Sequence, residues 1–237
     1  MHLTPSEAGL AATGRAELHL GEAGGALGET LVHQEVAAPL HELLDAARSA
    51  GFALAIASGF RGFDRQLSIW NRKATGELPV LDNDSRPLDI ATLTPRELVF
   101  AILRWSALPG ASRHHWGTDF DVYDGAACPE GYEVQLVPAE CEGDGYFAPM
   151  HRWLDERIAR GAAFGFFRPY DRDRGGVAPE RWHLSHAPTA ATFAGALTVD
   201  LLHEVIGGAD LRLKDVVLDH LTEIHERFVT NVNRVDA

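Results

Sequence analysis

The sequence predicts an α+β fold: a small, mostly antiparallel sheet flanked by helices, with extra helices at the C-terminus. Helical spacing of apolar residues recurs in segments 35–49, 63–75, 94–107 and 146–160. Three short runs, 52–57, 118–123 and 181–186, have strand character. The two kinds of segment do not alternate as the regular βαβ units of a doubly wound parallel sheet.

A chain of 237 residues is long enough to bury a real core in one domain. Its 46% hydrophobic and 23% charged residues are ordinary for a soluble globular protein. The net charge of -13 argues against nucleic acid or an anionic membrane as partner, because phosphate binding needs clustered Lys and Arg. Cys128 and Cys141 are the only cysteines, so a disulfide scaffold is excluded; two free thiols are the expectation and a single bridge the alternative. No CxxC occurs, which excludes thiolate-held zinc. Neither a basic, apolar leader nor a run of about 20 apolar residues is present. The expected location is therefore cytoplasmic, or periplasmic or extracellular if an export signal has been removed.

Residues 1–34 read as an irregular N-terminal arm with at most one short strand. In 35–49, Val36, Leu40, Leu43, Leu44 and Ala47 share a helix face, and Gly51 suits the C-terminal cap. Segment 52–57 is a buried strand ended by Ser58-Gly59. The next helix carries Leu67 and Trp70 on one side, and 76–87 is a polar loop. Thr94-Pro95-Arg96-Glu97 is a helix start, with Thr as N-cap, Pro at N1 and Glu at N3. Segment 128–145 reads as a rim loop, 146–160 as a helix with Met150, Trp153, Leu154 and Ile158 inward, and 171–179 as a second loop. Two helices close the chain, about 189–206 and 213–232. The expected division is an arm (1–34), a catalytic domain (35–190) and a helical extension packed on it (191–237).

The chemistry concentrates in Ser112-Arg113-His114-His115-Trp116-Gly117-Thr118-Asp119-Phe120-Asp121. Imidazole with carboxylate is the ligand mix that holds Zn²⁺ in hydrolases. On a strand over 118–123, Asp119 and Asp121 point to the same face, and either can serve as ligand. Glu180-Arg181-Trp182-His183 supplies a further ligand, His183, and a general base, Glu180. Three protein ligands leave a fourth position for water, the arrangement of a catalytic zinc. Other readings fail: His203-Glu204 and His225-Glu226 lack the second His of the helical zinc-protease signature. Asp82-Asn83-Asp84 lacks the glycine of a calcium loop, and no GxSxG is present. Trp116 and Trp182 read as core or wall, His115 and His186 as surface residues or neighbours of the ligands.

Ser112-x-His114-x-x-Gly117-x-x-x-Asp121, Glu180-x-Trp182-His183 and Ser58-Gly59-Phe60-Arg61 with Gln66 resemble three signatures of the zinc D-Ala-D-Ala carboxypeptidase family. That family includes D,D-dipeptidases, D,D- and L,D-carboxypeptidases and endolysin peptidases. The resemblance spans about 35–190. It implies His114, Asp121 and His183 as zinc ligands, Glu180 as catalytic base and Arg61 as the group that stabilises the oxyanion. Ser112 and Gln66 would hold the substrate's terminal carboxylate or backbone, and Asp121 rather than Asp119 is the ligand. Asp119 stands where the family usually has a small residue, which makes it a candidate partner for a ligand His. The implied activity is hydrolysis of a peptide bond beside a D-amino acid in peptidoglycan-derived peptides, foremost as a D-alanyl-D-alanine carboxypeptidase. L,D-carboxypeptidase, dipeptidase and endopeptidase stay open, as does, in another class, a non-catalytic zinc-containing peptide-binding module.

Overall fold

The computed structural model describes residues 3–233. The arm is more ordered than its composition suggests. Thr4 and Glu7 form a reciprocal capping box that starts α1 (Pro5–Ala12). β1 (Leu20–Glu22) and β2 (Leu31–His33) then pair as an antiparallel hairpin. The helix is missed in the composition because Ala and Gly give it little apolar contrast, although Thr4-Pro5-x-Glu7 carries the same start signal as Thr94-Pro95-x-Glu97.

α2 (Ala37–Ser49) leads to β3 (Leu54–Ser58), and α3 (Phe63–Ala74) and α4 (Pro95–Trp105) follow. β4 (Asp119–Asp124), the short α5 (Pro138–Cys141), α6 (Ala148–Ala159), β5 (Phe166–Phe167) and β6 (His183–His186) follow; α5, inside the expected rim loop, and β5 are additions to the expected elements. The sheet order is β3-β4-β6-β5, antiparallel throughout. β3 lies at an edge, so it buries only Leu54 rather than its whole length.

Alternation gives the sheet two unlike faces. Phe120 and Val122 of β4 and Leu184 of β6 pack with Leu40, Leu43 and Leu44 of α2 and Met150 and Leu154 of α6 in one apolar cluster. Their strand neighbours Asp119, Asp121, His183 and Ser185 take the opposite face and are buried as polar groups. A second apolar cluster joins α1, α3, α4 and the C-terminal helices. Those helices are more broken than periodicity predicts. Thr198 caps a new helix, so 189–206 divides into α7 (Ala187–Ala196) and α8 (Val199–Gly208), and α9 (Lys214–Asp219) and α10 (Leu221–Ile224) follow. No single helix among the described residues is long and apolar enough to cross a membrane; α7 and α8 reach that length and apolarity only together, across a 72° bend. Cys128 and Cys141 are both free thiols.

Candidate active site

His114 sits in a tight 3₁₀ turn, Arg113–Trp116, that ends at Gly117 with φ 64°. A Cβ on Gly117 would stand 2.7 Å from the His33 amide nitrogen, so the close approach of β2 and the left-handed backbone both require glycine. The turn delivers His114 to the start of β4. There Asp121 lies directly opposite His183 in the antiparallel register.

The second nitrogen of each imidazole fixes which nitrogen faces inward. His114 Nδ1 donates to the Gly59 carbonyl at 3.0 Å, leaving Nε2 to face Asp121 Oδ2 at 3.3 Å. His183 Nε2 donates to Asp119 Oδ1 at 3.0 Å, leaving Nδ1 3.3 Å from Asp121 Oδ1 and 3.3 Å from Glu180 Oε2. One ligand atom from each of His114, Asp121 and His183 lies within 4.8 Å of the others. Asp121 Oδ1 is buried without a hydrogen-bond partner. Tetrahedral ligands about 2.0–2.2 Å from a zinc ion stand about 3.3–3.6 Å apart, and each imidazole nitrogen already lies 3.3 Å from an Asp121 oxygen. Donor types, tautomers and the orphaned carboxylate oxygen all fit a metal ion.

The electrostatics point the same way. Burial would raise the pKa of Asp121, but the two facing imidazoles outweigh it and hold the carboxyl below the usual range. Burial would lower that of His183, but contacts with Asp119, Asp121 and Glu180 hold it well above the usual value. The cluster thus draws positive charge to its centre. Asp119 is a different case: burial opposes ionisation, yet Arg113 and His183 bring its pKa down to about 2. It accepts from Arg113 Nε at 2.7 Å, Thr118 Oγ1 at 2.5 Å and Ser185 Oγ at 3.1 Å as well as from His183. Asp119 therefore aims a ligand and has no free oxygen for the metal site.

Arg61 enters from the loop between β3 and α3. Its guanidinium donates to Ser58 Oγ at 3.0 Å and to Gln66 Oε1 at 2.8 Å. Burial lowers its pKa while Asp121 and, more weakly, Glu180 oppose the shift, so both carboxylates stand in its field. His115 is not on the surface. It is fully buried, donates through Nδ1 to the Arg61 carbonyl at 2.5 Å and accepts from the Gly110 amide at 3.1 Å. His186 is buried too, against Thr189.

These groups surround a cavity of about 310 Å³ whose walls include Arg61, Lys73, Ser112, Tyr170, Glu180 and Leu136. Ser112 is on the wall. Gln66 is not: it is fully buried, its oxygen accepting from Arg61 and its amide donating to the Ala107 carbonyl at 2.7 Å. With both ends committed, it holds Arg61 in place. Trp182 walls the cavity and Trp116 is core. Both loops expected at the rim reach it: Gln135 and Leu136 from one, Val177 from the other. Glu140 pins the first loop by accepting from Tyr132 Oη at 2.7 Å and the Gln135 amide at 2.8 Å.

Two wall residues escape motif reading. Tyr170 meets the His183 ring edge-on at 5.0 Å, and burial pushes its pKa up to about 12. It lies in an irregular loop, where no periodicity marks it. Lys73 lies two helical turns after Gln66 on α3, a spacing that places both on one helix face.

Three converging ligand atoms, a carboxylate beside them and a buried guanidinium define a candidate site for metal-assisted hydrolysis. The chain belongs to the VanY family, described as D-alanyl-D-alanine carboxypeptidase, whose model matches residues 29–189. It is 31% identical over 124 residues to an uncharacterised protein of Haemophilus influenzae, a match covering 52% of this chain and 92% of that protein. It is also 31% identical over 150 residues to a D-alanyl-D-alanine carboxypeptidase of Enterococcus faecalis, covering 62% of this chain but 45% of that protein. Among solved structures it is similar to VanYB in complex with D-alanine-D-alanine, with TM-score 0.49 and 22% identity over 80% of this chain and 89% of the other.

Proposed function

We propose that the protein is a zinc-dependent peptidase that hydrolyses the bond before a C-terminal D-amino acid in peptidoglycan-derived peptides, as a D-alanyl-D-alanine carboxypeptidase. Membership of the VanY family supports the substrate class. The observation that carries the metal chemistry is the convergence of His114 Nε2, His183 Nδ1 and the orphaned Asp121 Oδ1.

Those three residues would hold the ion, which when bound supplies Lewis acidity toward water and the scissile carbonyl. Glu180, with Oε2 3.3 Å from His183 Nδ1, stands beside that centre. Its carboxylate takes the proton of the attacking water and returns it to the leaving amine. Arg61, locked by Ser58 and Gln66, presents fixed positive charge to the carbonyl oxygen as it becomes anionic. Gln135 and Leu136 of one rim loop and Val177 of the other wall the cavity, which favours an exopeptidase.

The test is to incubate metal-loaded protein with muramyl tetrapeptide, muramyl pentapeptide and D-Ala-D-Ala, and to identify the released amine by mass. Release of D-Ala from pentapeptide alone supports the proposal. Release from tetrapeptide alone makes it an L,D-carboxypeptidase, cleavage of the free dipeptide a dipeptidase, and no cleavage with metal bound overturns the catalytic reading.

A further inference from the structure

Three cations line the cavity: Arg61, Lys73 and Arg113. Arg113 is paired with Asp119 at 2.7 Å and donates to Ser185 Oγ at 2.6 Å. Arg61 is tied to Ser58 and Gln66. Lys73, in the last turn of α3, is half-buried, yet its ammonium makes no hydrogen bond or ion pair with any described residue. Burial lowers its pKa, the field of Glu180 opposes that shift and the field of Arg61 reinforces it. The ammonium therefore stands within the electrostatic reach of the base and of the guanidinium without touching either.

A partly desolvated ammonium with no partner is costly, and lysines seldom tolerate it. The carboxylates near it have other commitments: Asp121 faces the two imidazoles and Glu180 faces His183. That leaves the ammonium open to a counter-charge from outside the protein. Ser112 lines the same cavity, and its hydroxyl has no hydrogen bond within the described structure either. A cation and a hydroxyl left open in one cavity form a donor set for a carboxylate. Gln66, the other candidate for that task, is sealed behind Arg61.

We propose that Lys73 binds the free C-terminal carboxylate of the substrate and so confines cleavage to the last residue of a peptide. This rests on the peptidase reading for the identity of the substrate, but not for the existence of the anion site. A lysine ammonium on a flexible stem acts as a point charge and tolerates small shifts of the chain end as the bond breaks.

The experiment compares a pentapeptide ending in D-Ala-D-Ala with the same peptide as its C-terminal amide. Binding to Glu180→Ala protein is measured by calorimetry and cleavage by metal-loaded protein is measured in parallel, each with and without Lys73→Met. With Lys73 intact, the acid should bind about 10–100-fold more tightly than the amide, the size of one charge-assisted hydrogen bond. The same preference should appear in KM. Lys73→Met should collapse the acid-to-amide ratio to within about threefold, and Lys73→Arg should restore part of it. A Lys73→Met protein that keeps the full preference, or that weakens acid and amide equally, overturns the anchor. Lys73-dependent binding of the acid without cleavage by wild type sustains the anchor and removes the peptidase reading. Cleavage with the acid preference intact in Lys73→Met does the reverse.

Discussion

His183 Nε2 donates to Asp119 Oδ1 at 3.0 Å, and the same carboxylate oxygen accepts from Arg113 Nε at 2.7 Å. A buried ion pair thus holds the imidazole whose other nitrogen faces Asp121. Carboxylates in this position orient ligand imidazoles, and their loss typically weakens metal binding about 10–100-fold. Asp119→Asn should therefore lower metal affinity by that factor in a chelator competition. Removing one partner of a buried pair should also cost about 3–5 kcal/mol in urea unfolding. A folded Asp119→Asn protein with wild-type affinity would refute the positioning role.

Glu180 presents Oε2 to the metal-facing side of His183 but is not needed to complete the three-ligand set. Glu180→Ala is expected to retain bound zinc, read by elemental analysis, while turnover falls about 10²–10⁴-fold. Loss of the metal together with activity would make Glu180 a ligand, and wild-type turnover would remove it from the mechanism.

Gln66 acts through Arg61, so its substitution should separate kcat from KM. Gln66→Leu removes the acceptor for the guanidinium and is expected to lower kcat about 10-fold or more, with little change in KM. Gln66→Glu keeps an acceptor facing Arg61 and should recover part of that loss. A rise in KM alone would return Gln66 to the substrate, as the motif resemblance implies.

How much of this was readable from residues alone divides along physical lines. That Asp119 and Asp121 share one face of a strand was legible because period-2 alternation fixes it, whereas the register that sets Asp121 opposite His183 was not. Asp119 could be separated from Asp121 only by resemblance. Of the groups that engage Asp119, Arg113 and Thr118 lie in the same motif, but their hydrogen bonds leave no periodic trace, and the contacts with Ser185 and His183 depend on register between strands about 65 residues apart. Helix α1 was legible in principle, since Thr4 and Glu7 repeat the start signal of Thr94 and Glu97, but alanine and glycine hid its inward face. The break between α7 and α8 turns on the single cap at Thr198 within an otherwise apolar run. Lys73 went unread because a lysine near a helix end is normally a solvated residue favoured by the helix dipole. Only the cavity wall shows that this one faces inward.

The last prediction concerns pH. Burial holds His19 down to a pKa of about 4, His115 to about 3 and His151 to about 2, the last with help from Arg168 and Arg181. Each is neutral in the fold through the range where the unfolded chain, with an imidazole pKa of about 6.5, takes up a proton. The unfolded state then binds more protons, so these groups make stability fall as pH drops below about 6.5. His183 opposes them in metal-free protein, because its raised pKa adds stability below about 6.5 that is lost as pH rises. A difference between variants removes that background. His151 has a buried Nε2 with no partner, and its Nδ1 faces Arg168 at 3.3 Å, so protonation there would set a third positive charge against two arginines. Urea unfolding at pH 7, 6 and 5 should show wild type losing stability more steeply than His151→Gln, by up to about 1.4 kcal/mol per pH unit, the slope of one proton. Because slopes are compared, any constant cost of the glutamine cancels. Parallel slopes would mean that His151 titrates alike in the folded and unfolded chains, and that its burial carries no penalty for charge.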